Sequence, residues 1–104
     1  MNNNFKDESL NIPADNPIHQ KIDVEASFFA RNKKQKNAPC IPRSFRTESG
    51  REVMISEIGL IHPKYNGIKT LFLFDITDGA SDYRISFDTE TLEWFLEWEG
   101  DQYV

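Results

Sequence analysis

Cysteine is all but absent from this chain: Cys40 stands alone among 104 residues, so no internal disulfide can form. No CxxC pair or Cys/His cluster offers the donor set of a structural metal. A reducing, cytoplasmic setting is the expectation. Long apolar runs are missing as well, since nothing approaches the roughly 18 residues that cross a bilayer. The opening MNNNFKDESLNIPADNP has neither a basic n-region nor an apolar h-region. A soluble protein with no membrane partner is therefore expected. Gly-rich phosphate loops, P-loops and HExxH motifs do not occur, and no metal or cofactor is expected. Helical periodicity is also scarce, and confined to one place near the end.

What is present is a single small domain's worth of apolar and aromatic side chains, 38% and 12% of 104 residues, enough for one core rather than two. The net charge of −5 hides an uneven distribution. Residues 1–30 carry two basic and five acidic side chains, residues 31–51 seven and one, and residues 52–104 three and eleven. A short basic island thus sits in an acidic chain, and the long-range field of a nucleic-acid binder survives only locally.

Residues 1–20 are Asn-rich and polar, with Phe5, Leu10, Ile12 and Ile18 scattered among them, and they read as a flexible, disordered tail. Residues 21–104 read as a small β-barrel domain. Ile22, Val24, Ala26 and Phe28 alternate with polar residues and form a first strand with one wet face. A second strand spans 41–47, where Pro42 favours a strand beginning or an edge and Phe45 points inward. Val53 and Ile55 start a third. Ile58 and Leu60 are in phase with each other but not with Ile55, so a bulge or a break near Ser56, Glu57 and Gly59 is required. Ile68, Thr70, Phe72, Phe74 and Ile76 share a face, with Leu71 and Leu73 on the other, which marks a central strand. The turn Thr77–Ala80 leads to a strand that alternates Tyr83, Ile85 and Phe87 with Arg84 and Ser86. Finally, Leu92, Trp94, Leu96 and Trp98 alternate with Glu93, Phe95 and Glu97; a helix capped at Thr89 competes here, but the period of two favours a strand. The expectation is an all-β fold, a small antiparallel barrel or rolled sheet of about six strands.

The segments Ile41-Pro42-Arg43-Ser44-Phe45 and Gly50-Arg51, the pair Ile55 and Ile58, and the closing Trp94-Phe95-Leu96-Glu97 resemble a group of small, uncharacterised bacterial β-barrel domains. The resemblance covers about residues 21–99 and implies an SH3-like or split-barrel fold, with no catalytic residue to carry over. The Lys-rich insertion at 31–38 is longer than the tight hairpin of that group.

Arg31, Lys33, Lys34 and Lys36, with Arg43 and Arg46, form the strongest local signal, an anion-binding edge beside which Phe29 or Tyr65 could stack. A solvated loop neutralised by the acidic strands is the plain alternative. Trp94 and Trp98 read as core, or as interface anchors if their strand is an edge. Cys40 and His62 suggest a nucleophile and base, but no orienting third group accompanies them. Glu93, Glu97 and Glu99 read as a solubilising row on one strand face or as partners for the basic island. The functional expectation is a non-enzymatic binding module that contacts an anionic macromolecule, nucleic acid or an acidic protein, through residues 31–46. The competing expectation is an assembly protein that self-associates through a sheet edge and aromatic face.

Overall fold

Seven antiparallel strands follow one another: β1 (Gln20–Phe28), β2 (Cys40–Arg46), β3 (Glu52–Met54), β4 (Glu57–Asn66), β5 (Lys69–Thr77), β6 (Ser81–Asp88) and β7 (Trp94–Asp101). The structure, a computed structural model, describes residues 18–28 and 38–101. Residues 1–17 of the expected tail lie outside them, while Ile18, just ahead of β1, is bonded to the sheet, its N–H donating to the Glu97 carbonyl at 3.1 Å. The strands form one sheet in the order β3-β2-β1-β7-β6-β5-β4, curled into a half-barrel. β1 makes the join, pairing with β7 through Gln20–Ile22 and with β2 through Asp23–Phe28.

The count is seven rather than about six because the expected third strand breaks into β3 and β4. The break is a corner. Ile55 donates its N–H to the Arg43 carbonyl on β2 at 3.0 Å, and the next residue, Ser56, donates to the Thr77 carbonyl on β5 at 2.9 Å. Two consecutive residues therefore bond to opposite sides of the half-barrel and tie its two edge strands together at one end. Past the corner, Gly59 is the extra residue of a bulge: Ile58 faces Ile76, but Leu60 faces Asp75 and Ile61 faces Phe74. This corrects the in-phase reading of Ile58 and Leu60, since the bulge turns Leu60 outward and brings Ile61 to the core.

The core lies on the concave face. Ile22, Cys40, Phe45, Val53, Phe74, Ile76, Tyr83, Ile85, Phe87, Trp94 and Leu96 are all buried there, so the alternation read on β5, β6 and the start of β7 is the one that folds. Phe87 and Trp94 pack at 4.6 Å between ring centroids, and Phe45 meets Tyr83 edge-on at 5.4 Å. Such pairs add about 0.5–1.5 kcal/mol each beyond their area.

The segment that could have been a helix capped at Thr89 enters strand at Trp94 instead, but only Trp94 and Leu96 of its expected apolar row reach the core. Leu92 falls in the preceding turn, exposed and at φ +65°. Glu97 is a bulge residue that moves Trp98 opposite Arg84 on the convex face. Trp98 is thus not a core residue, and β7 is a central strand rather than an edge. The actual edges are protected. β3 has three residues, and the ten-residue β4 carries Pro63, Lys64 and the Gly59 bulge, features that oppose pairing with another strand.

Candidate binding end of the half-barrel

Strand direction sorts the connections into two groups. β1, β4 and β6 finish at the end where β2, β5 and β7 begin, so the connections after Phe28, Asn66 and Asp88 all emerge together. The first of these is the basic connection. Phe29, Arg31, Lys33, Lys34 and Lys36 lie outside the described residues, but their segment leaves from Phe28 and returns at Ala38, both at this end.

The other two connections are built locally. In the β4–β5 hairpin Gly67 takes φ +68°, a conformation that suits glycine, and leaves Ile68 at the tip. In the β6–β7 turn the Asp88 carboxylate accepts the N–H groups of Glu90 at 2.8 Å and Thr91 at 3.1 Å, and the Lys69 ammonium at 3.0 Å. Burial pushes the Asp88 carboxyl up, but the hydrogen bonds from Lys69, Thr91 and Glu90 outweigh it and hold the group below its ordinary range. Thr89 joins the two hairpins, its hydroxyl donating to the Thr70 carbonyl at 2.8 Å. Lys21 of β1 reaches Glu93 at 2.9 Å; the hydrogen bond between them raises the lysine and lowers the carboxyl.

Exposed apolar side chains gather at the same end. Of the six large ones left exposed among the described residues, Phe28 (61%), Tyr65 (73%), Ile68 (99%) and Leu92 (68%) are here, and only Met54 and Leu60 lie elsewhere. Phe28 was read as inward, and its ring does touch Phe87 edge-on at 6.1 Å, but the strand ends there and leaves most of it in solvent. Charge follows the same division. Residues 29–39, 64–69 and 88–93 hold six basic and three acidic side chains, against six and fourteen in the rest of the chain. By sequence, the connections at this end form a basic pole, four of whose six cations belong to the 29–37 segment outside the described residues.

Not every cation of the expected edge belongs to this pole. Arg43 is the bulge residue of β2 and donates to the Ser27 hydroxyl at 3.1 Å. Arg46 lies at the far end of β2 beside Glu52, at 3.4 Å. Arg51, also far away, grips Glu99 through two bonds of 2.9 and 2.8 Å. The distant part of the basic island is thus matched by the molecule's own carboxylates. Glu93, Glu97 and Glu99 do not form one row, because the bulge at Glu97 changes the face: Glu97 binds Ser86 and His19, whereas Glu99 lies opposite Tyr83.

Cys40 and His62 are on opposite faces of the sheet. Cys40 is fully buried in the core, and burial pushes its thiol up to about 11, which keeps it protonated and unreactive. His62 sits on the convex face, where its Nε2 meets the Asp75 carboxylate at 3.2 Å and Arg84 holds the same carboxylate through bonds of 2.6 and 3.0 Å. This buried arginine pair was missed by sequence reading, although a signal existed: counting outward from the Asp78–Ala80 turn places Asp75 opposite Arg84. Ser86 donates to Glu97 at 2.7 Å, and His19 approaches that same carboxylate rather than the serine. The arrangement ties β1, β6 and β7 together and does not activate the hydroxyl. Compared with known proteins, the chain matches no family model, no curated protein and no solved structure.

Proposed function

We propose that the protein is a non-enzymatic binding module, an SH3-like open barrel that holds an anionic partner at its basic end. One observation supports this reading: the topology brings Phe28 and Ala38, between which the four-cation connection runs, to the same end of the sheet as four of the six exposed large apolar side chains of the described residues. Connections on a rigid scaffold are where binding residues concentrate, and a local excess of one charge orients an approaching partner even when the net charge is opposite. The expected site narrows accordingly to Arg31, Lys33, Lys34, Lys36, Phe29 and Tyr65. Arg43 and Arg46 fall outside it, engaged with Ser27 and Glu52. A cytoplasmic setting belongs to the same proposal and rests on the lone cysteine. Self-association through a sheet edge receives less support, given Pro63 and Lys64 on β4 and the shortness of β3.

Chromatography on immobilised heparin at low salt tests the reading directly. The native chain should be retained despite its charge of −5, and replacing Arg31, Lys33, Lys34 and Lys36 with Gln should move elution to clearly lower salt, since each lost contact reduces the salt dependence. The double variant Arg46→Gln, Arg51→Gln should elute as the native chain does. Flow-through of the native protein at low salt would end the proposal.

A further inference from the structure

We draw no further inference here: the strongest candidate, the side-chain cluster on the convex face where Arg84 of β6 and Trp98 of β7 lie opposite each other and bury their Nη1 and Nε1 donors without a hydrogen-bond partner among the described residues, carries nothing because nothing in the structure shows what covers it.

Discussion

Leu92 shows how a single backbone angle redirects a side chain that the alternation assigns to the core. Its N–H bonds to the Asp88 carbonyl at 2.7 Å and the Asp88 N–H to the Glu93 carbonyl at 2.9 Å, closing a turn in which Leu92 takes the left-handed conformation at φ +65°. For an L-residue that conformation costs about 1–2 kcal/mol, whereas glycine adopts it freely and gives back only part of the gain through the extra freedom of its unfolded chain. Leu92→Gly should therefore raise stability by about 0.5–1 kcal/mol, read as an upward shift of the thermal midpoint. A lower midpoint would show that Leu92 packs against something that offsets its strain. No periodicity could reveal this, because the angle is set by turn closure and not by the apolar pattern.

Among the elements, what was legible and what was not follow from one geometric fact. The β5–β6 hairpin is regular from turn to tip, with Thr77 opposite Asp82 and Leu71 opposite Asp88, so a face read at one residue holds along the whole strand. Elsewhere an extra residue enters: Arg43 on β2, Gly59 on β4 and Glu97 on β7. Each insertion reverses inside and outside for everything beyond it. That is why Trp94, ahead of the insertion on β7, was placed correctly while Leu60 and Trp98, beyond theirs, were not. The alternation marks that a shift is needed, as it did between Ile55 and Ile58, but not which residue absorbs it. The shift at Glu97 has a support in the sequence that only the structure explains. Gly100 lies under the indole of Trp98, and a Cβ there would sit 2.5 Å from Cζ2 and 2.6 Å from Cη2. Gly100→Ala should force the ring off the strand, cost about 1–3 kcal/mol and alter the tryptophan emission. In a Trp98→Val background the same change should cost little; an equal cost in both would place its origin in the backbone instead.

For the whole molecule, stability depends on pH on both the acid and the alkaline side, and groups at both ends of the half-barrel contribute to each. At the end away from the basic pole, Asp78 accepts the N–H groups of Ser81 and Ala80 and the Tyr83 hydroxyl, each at 2.8 Å, and these bonds hold its carboxyl low. Glu93 and Asp88 are held low at the other end. Carboxyls whose folded values lie below the unfolded ones contribute stability above pH 4 to 5 that is lost as the pH falls through the folded values. The alkaline side has the opposite sign. Burial raises the Cys40 thiol from 9.0 to about 11, and burial together with Asp78 raises the Tyr83 hydroxyl from 10.0 to about 12. Both groups are protonated in the fold at pH values where the unfolded chain has released its protons, so their stabilisation is complete below pH 9 and disappears as the pH climbs through the folded values. For Cys40 the loss is on the order of 2 kcal/mol. Urea midpoints should accordingly stay level from pH 5 to pH 9 and then fall steeply towards pH 11. Cys40→Ala removes one of the two groups, and its midpoint should fall over the same interval by visibly less. An unchanged alkaline slope in that variant would mean that the thiol is not held in the dry interior of the half-barrel, and that the core does not close around β2 as described.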